Sequence, residues 1–186
     1  MNLLMIRHGE IPSNVNKVYA GRSIERLTQK GVQQARQVSD KLKSHKIEAL
    51  YSSPIHRALQ TAQILSEVVG VDPIVYDSFR ELEMGPWEGM SEADIAREYP
   101  EEWGIWNSDP ASLRMEGREP LDILLERVLT GVRDIYKDHS DGNAVIVTHV
   151  AIIRVLLLWH AGKSLNLYKT INVPNAGIFE LGINDF

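Results

Sequence analysis

The sequence predicts an α/β fold: a three-layer αβα sandwich in which a mostly parallel central sheet carries helices on both faces, with a short lid insertion. Short apolar runs of strand length alternate with segments of helical period, the pattern of a parallel or mixed sheet. No internal repeat and no low-complexity linker interrupts the 186 residues, so they fit one domain, long enough to bury a full core. A hydrophobic content of 44% against 24% charged residues is that of a globular protein.

In chain order, residues 1–6 are an apolar run that reads as a buried strand and ends in Arg7-His8-Gly9-Glu10. Residues 28–43 place Val32, Ala35, Val38 and Leu42 on one helical face, with Thr28 as N-cap. Residues 47–51 form a second strand. It runs into Ser53-Pro54, where a capping serine and a proline suited to the first helical position predict a helix start. The apolar face of that helix is Ile55, Leu59, Ala62 and Leu65, and Gly70 ends it. Residues 73–76 are a third strand. Residues 121–136 repeat apolar side chains at helical spacing, 144–148 are a strand, and 150–161 are apolar on most faces, as a buried helix is. Residues 177–182 close the chain as a last strand. The irregular stretch is 85–119, with Trp87, Trp103, Trp106, Pro100 and Pro110. It reads either as a lid or binding flap, or as a surface excursion whose tryptophans fill a small satellite core.

Composition excludes several functions. A net charge of −5 disfavours a general nucleic-acid binder, and no basic run suggests a membrane surface. There is no cysteine, hence no disulfide framework, thiolate nucleophile or cysteine metal site. The first apolar run is too short for a secretory signal, and residues 150–159 are too short, and broken by Arg154, to span a bilayer. The cytoplasm is the expected location, and a homodimer is left open.

Charged residues cluster where strands end. Arg7-His8 follows the first strand, Arg57 lies in the first turn after the second, and Thr148-His149 follows the fourth. Ligands of open α/β sheets sit outside the carboxyl ends of the strands, so Arg7, His8, Arg57 and His149 are expected to converge. Helix N-termini pointing there add partial positive charge. A net-negative chain that gathers such donors is building an anion site. A histidine beside an arginine suits attack on a held phosphoryl group; alone, it is equally a hydrogen-bonded structural residue.

At this point the chain resembles the histidine phosphatase superfamily, the phosphoglycerate mutase-like fold. The Arg-His-Gly motif stands at Arg7-His8-Gly9 and the later asparagine at Asn14. A second motif is Ser52, Ser53, Pro54, Arg57, Ala58, Gln60, Thr61 and Ala62. A third is Glu81, Gly85, Trp87, Glu88 and Gly89, and the second histidine is His149. The resemblance implies that His8 attacks phosphorus and becomes a phosphohistidine. It implies that Arg7, Asn14, Arg57, His149 and Val150 hold the phosphoryl group, and that Glu81 acts as acid and then base. Spacing alone does not choose between Glu81 and Glu83. Gly21, Arg22, Arg114 and Arg118 are the candidate contacts to the rest of the substrate, the arginines being equally readable as solvated. No metal and no other cofactor is expected, since no carboxylate–histidine cluster has metal-ligand spacing.

Departures favour a phosphatase over a mutase. Where the mutases carry a tyrosine, a lysine and a threonine, this chain has Met84, Glu92 and Ala20. A glutamate repels a phosphoglycerate carboxylate. Ile11 and Val150-Ala151 also replace the frequent threonine and glycines. The alternatives are mutase-type phosphoryl transfer and a non-catalytic phosphate-binding regulatory module, which would typically have lost a catalytic residue. The resemblance leaves the substrate as a small phosphorylated metabolite: α-ribazole phosphate, a sugar phosphate or phosphoserine. Among the other histidines, His56 is a candidate for the pocket mouth, His45 and His139 for solvated turns, and His160 for a helix end.

Overall fold

The computed structural model describes residues 1–184. Its strands are β1 (Asn2–Arg7), β2 (Ile47–Ser52), β3 (Pro73–Val75), β4 (Asn143–Thr148) and β5 (Ile178–Gly182). Its helices are α1 (Pro12–Asn16), α2 (Gln29–Leu42), α3 (His56–Val69), α4 (Glu92–Glu98), α5 (Pro100–Ser108), α6 (Leu121–Asp138) and α7 (Val150–His160). Among the described residues the strands form one sheet in the order β3-β2-β4-β1-β5, with β5 antiparallel to β1 and the other pairings parallel. The αβα sandwich and mostly parallel sheet expected from the sequence are therefore present.

The period of two along each strand divides the core. Leu3, Met5, Ala144 and Ile146 pack with α6 and α7, whereas Leu4, Ile6, Val145 and Val147 pack with α2 and α3. In β2, Ile47 and Ala49 lie two residues apart yet join opposite clusters. The register with β4 shifts between them, and the irregularity turns the strand over. No helix among the described residues is long and apolar enough to cross a membrane.

Local expectations hold at α2, where the Thr28 side chain accepts from Gly31 N at 3.0 Å, and at Gly70, which ends α3 with φ 73°. They fail at the start of α3. The helix begins at His56 behind Ile55, which makes no side-chain cap, so Ser53-Pro54 lie ahead of it. The Ser53 hydroxyl instead pairs with His149 Nε2 at 2.7 Å and accepts from Ile55 N at 3.2 Å. The predicted strand at 73–76 stops at Val75. The satellite core is also corrected. Trp87 and Trp106 are fully buried, and Trp103 packs against the same cluster that contains Leu3 and Met5.

The loop after β1 rests directly on the first turn of α2. A Cβ on Gly9 would lie 2.4 Å from Gly31 O, and one on Gly31 would lie 2.2 Å from Glu10 O. Gly→Ala inside a helix normally stabilises by about 1 kcal/mol. Here backbone collision reverses the sign, and Gly31→Ala is expected to cost about 1–3 kcal/mol, the usual range for overpacking. A lower urea midpoint at unchanged slope is the expected reading; an unchanged or higher midpoint would show that the loop yields freely.

Candidate active site

Because β1, β4 and β2 are adjacent and parallel, their carboxyl ends open on one edge of the sheet. A cavity of about 360 Å³ lies there. Of the residues expected from the sequence, Arg7, His8, Asn14, Gly21, Arg57, Glu81 and Val150 line it. His149 sits behind His8, fully buried, with the two ring centroids 5.2 Å apart.

The tautomer of His8 follows from its partners. Its Nδ1 lies 2.7 Å from Gly9 O, which can only accept, so Nδ1 carries the proton. Its Nε2 lies 3.1 Å from Arg57 Nε, which can only donate, so Nε2 offers a lone pair. Burial, then Arg57, then Arg7, hold the ring well below the ordinary histidine pKa, so it stays neutral. Burial and the same arginines also depress His149. Arg7 Nε and His149 Nδ1 are buried and have no hydrogen-bond partner among the described residues.

Each arginine is aimed by backbone carbonyls. Arg57 donates to Gly21 O at 2.6 Å and to Ser23 O at 3.1 Å, and Arg7 donates to Val173 O at 2.6 Å. Burial lowers the pKa of Arg7 to about 10, which leaves it charged at neutral pH. Asn14 Oδ1 accepts from Ile11 N at 3.2 Å and from Asn175 Nδ2 at 2.8 Å. Glu81 Oε1 accepts from Leu82 N at 2.9 Å and from Ala151 N, in the first turn of α7, at 3.3 Å. Burial nevertheless raises the Glu81 carboxyl above its ordinary pKa, against the opposing pull of Arg57, Arg7 and those amides. The segment that presents Glu81 is held from α6: Arg127 donates to Ser78 O and Glu81 O and pairs with Glu119 at 2.6 Å.

Three expected substrate contacts do not reach the cavity. Arg22 is paired with Glu83 at 3.1 Å and Arg114 with Asp122 at 2.8 Å, so opposite charges on the surface hold both away. Arg118 is buried between Trp106 and Trp87, its guanidinium carbon 4.2 and 5.1 Å from the ring centroids. Glu83, in its ion pair with Arg22, does not line the cavity, which separates it from Glu81. His56 does not line it either. His139 is not simply solvated, since its Nε2 lies 3.2 Å from Tyr51 Oη. His45 is exposed, and the exposed His160 lies 3.0 Å from Gly182 O.

The cavity also holds Trp106, from the stretch read as a lid or binding flap, and residues that sequence reasoning missed: Tyr19, Arg154, Tyr168 and Lys169. Arg154 had a legible signal as the one formally charged residue in the apolar run that forms α7. Tyr168 and Lys169 arrive by tertiary contact from the 3-10 turn Leu165–Thr170 and had none. Ala20, Met84 and Glu92, the departures noted in the sequence, all line the wall.

A family model described as the histidine phosphatase superfamily, branch 1, matches residues 3–185. The chain is 27% identical over 176 residues to phosphoserine phosphatase 1 of Hydrogenobacter thermophilus, covering 95% of this chain and 83% of that one. It is 26% identical over 186 residues to the adenosylcobalamin/alpha-ribazole phosphatase of Salmonella typhimurium, covering 93% and 91%. Its fold matches the solved structure of Bacillus stearothermophilus YhfR with a TM-score of 0.92 at 24% identity, over 98% and 91% of the two chains. With its motifs in order, its sheet and its nearly full-length match, the chain belongs to the histidine phosphatase superfamily, branch 1.

Proposed function

We propose that the chain is a metal-independent phosphomonoesterase that hydrolyses a small phosphorylated metabolite in the cytoplasm through a phosphohistidine on His8. The observation that carries this reading is the buried, neutral His8, which lines a cavity shared with Arg7 and Arg57 and whose Nε2 accepts from Arg57 Nε. The related phosphoserine and alpha-ribazole phosphatases support the reaction class.

In the first step His8 Nε2 attacks phosphorus, the P–O ester bond breaks, and the Glu81 carboxyl gives its proton to the leaving oxygen. In the second, water attacks phosphorus, Glu81 takes its proton, and the P–N bond breaks to release phosphate. Arg7 and Arg57 neutralise charge on the non-bridging oxygens, with Asn14, Val150 and His149 completing the cradle. The Arg57–His8 hydrogen bond must give way as the phosphoryl group enters, which is ordinary for a site without substrate. The site is assembled within one chain, so a homodimer is not required for it. A segment 85–119 acting as a lid over this cavity is part of the same proposal, since Trp106 and Glu92 come from it.

Glu92 and Met84 in the wall argue against a phosphoglycerate mutase, and the complete catalytic set argues against a non-catalytic module. Appearance of free phosphate from p-nitrophenyl phosphate tests the hydrolase; phosphate recovered only on a second hydroxyl would identify a transferase. Full activity in excess EDTA is expected. Activity lost to chelation and restored by magnesium or zinc would overturn the metal-free reading. Arg57→Ala is expected to lower kcat by at least about 10²–10³, the scale of losing one charge-stabilising donor. A loss under tenfold would remove Arg57 from the transition state.

A further inference from the structure

Resting on the hydrolase reading, we infer that Ser53 is a positioning residue for His149. Its buried hydroxyl occupies His149 Nε2 and so fixes Nδ1–H as a hydrogen-bond donor for the phosphoryl group that His8 takes up.

Three adjacent strands set the arrangement. β4 lies between β2 and β1, and the residues just past their ends are His149, Ser53 and His8 respectively. Backbone pairing continues one step beyond the strands: Ser53 N donates to Val147 O and His8 N to Thr148 O, both at 3.0 Å. His149 is thus flanked along the sheet edge by a residue from each neighbouring strand. Its Nε2 lies 2.7 Å from Ser53 Oγ, and its ring centroid lies 5.2 Å from that of His8. All three side chains are buried.

A serine hydroxyl against an imidazole nitrogen is also the geometry of a nucleophile and its base. Here burial reverses the roles. Ser53 does not line the cavity, so its oxygen serves the histidine rather than a substrate. The hydrogens then have one good arrangement. Ser53 Oγ accepts from Ile55 N at 3.2 Å. If His149 Nε2 also donated to it, the hydroxyl hydrogen would be left in the interior with no acceptor among the described residues. With Nε2 accepting from the hydroxyl, both groups are satisfied. Burial, with Arg57, His8 and Arg7 close by, keeps the ring neutral, so its single proton sits on Nδ1. That nitrogen is the buried one without a partner among the described residues. A buried donor left open is costly until a ligand supplies an acceptor, and phosphoryl oxygens do.

His8 and His149 therefore carry the proton on the same nitrogen and do opposite work. Gly9 O ties up the N–H of His8 and leaves a lone pair; Ser53 ties up the lone pair of His149 and leaves an N–H. The reverse tautomer of His149 would turn a lone pair toward the phosphoryl oxygens and repel them.

Proton–nitrogen correlation spectra of the full chain, with its histidines isotope-labelled, read each tautomer directly, and His149→Gln identifies the His149 signals. Nδ1 is expected to be protonated and Nε2 not. In Ser53→Ala the His149 nitrogens are expected to shift toward the reverse tautomer. Affinity for orthovanadate, which adopts the five-coordinate geometry of phosphoryl transfer, and kcat for p-nitrophenyl phosphate should both fall at least about tenfold, the scale of one hydrogen bond to a charged group. Ser53→Thr keeps the hydroxyl and is expected to retain the tautomer and to restore both quantities to within a few-fold. A tautomer unmoved in Ser53→Ala would overturn the inference even if the rate fell, since a merely structural serine does that. Should Ser53→Ala fail to fold, the full-chain spectrum decides alone: a protonated Nε2, with or without a proton on Nδ1, overturns the inference. If the full chain releases no phosphate from p-nitrophenyl phosphate, the hydrolase reading fails instead. The spectra and the vanadate affinities then decide: the expected tautomer with weaker binding in Ser53→Ala supports the role of Ser53, and equal binding overturns it.

Discussion

His8→Ala is expected to abolish turnover and covalent labelling together. Substrate labelled on phosphorus should leave its label on the protein after rapid quenching, on the peptide that carries His8. Attack by a ring nitrogen makes a phosphoramidate, which is labile in acid and stable in alkali, the reverse of an acyl phosphate. The rival nucleophiles are poorly placed. There is no cysteine, and the buried Ser53 hydroxyl is tied to His149 and Ile55 N and does not line the cavity. His149 is depressed like His8 but sits behind it, so His149→Ala should slow labelling without moving the label. Label on His149, label of acyl-phosphate lability, or turnover that persists in His8→Ala would falsify the assignment.

Glu81→Gln is expected to cost about 10²–10⁴ in kcat, with the loss concentrated in esters of poor leaving groups. An alkyl ester needs the proton that Glu81 gives, whereas p-nitrophenolate departs with little help. Glu83→Gln, which only breaks the ion pair with Arg22, should leave the rate within a few-fold. Equal loss for alkyl and aryl esters in Glu81→Gln would show that Glu81 is not the acid. The pH profile carries the same signature. His8 must be neutral, and its depressed pKa moves the acid limb well below the ordinary histidine value. Glu81 must be protonated for the first step, and its raised pKa carries activity to higher pH than an ordinary glutamate allows before the alkaline limb falls. A bell on the acid side of neutrality is therefore expected, with its alkaline limb lost in Glu81→Gln for the aryl ester. An acid limb at the ordinary histidine pKa would mean that His8 is not desolvated as the cavity requires.

Much of this was legible in the chain because it depends on neighbours in sequence. The alternation of Leu3, Leu4, Met5 and Ile6 between two cores follows from strand geometry once the run is read as buried. Thr28 and Gly70 bound their helices by local backbone chemistry. The start of α3 was misread because a local rule lost to a tertiary partner: the Ser53 hydroxyl is engaged by His149, 96 residues away, and by Ile55 N. The tryptophans of 85–119 could be read as satellite or core, since nothing in their spacing reports which cluster they enter.

By itself, the sequence determined the layered α/β fold, the family, and the placing of Arg7, His8, Arg57 and His149 at or just after the strand ends. Short-range periodicity and ordered motifs encode these directly. Only the tertiary structure decided which carboxylate shares the cavity, Glu81 rather than Glu83, because their spacing is equally good and Glu83 is instead paired with Arg22 outside it. It also decided the tautomer of His8, set by Gly9 O and Arg57 Nε, and withdrew Arg22, Arg114 and Arg118 from the cavity while bringing in Arg154 and Lys169. Charges are placed by the partners that neutralise or brace them, and those partners are distant in sequence. For that reason the reaction class is written along the chain, and the shape and charge of the cavity wall arise only when the chain folds.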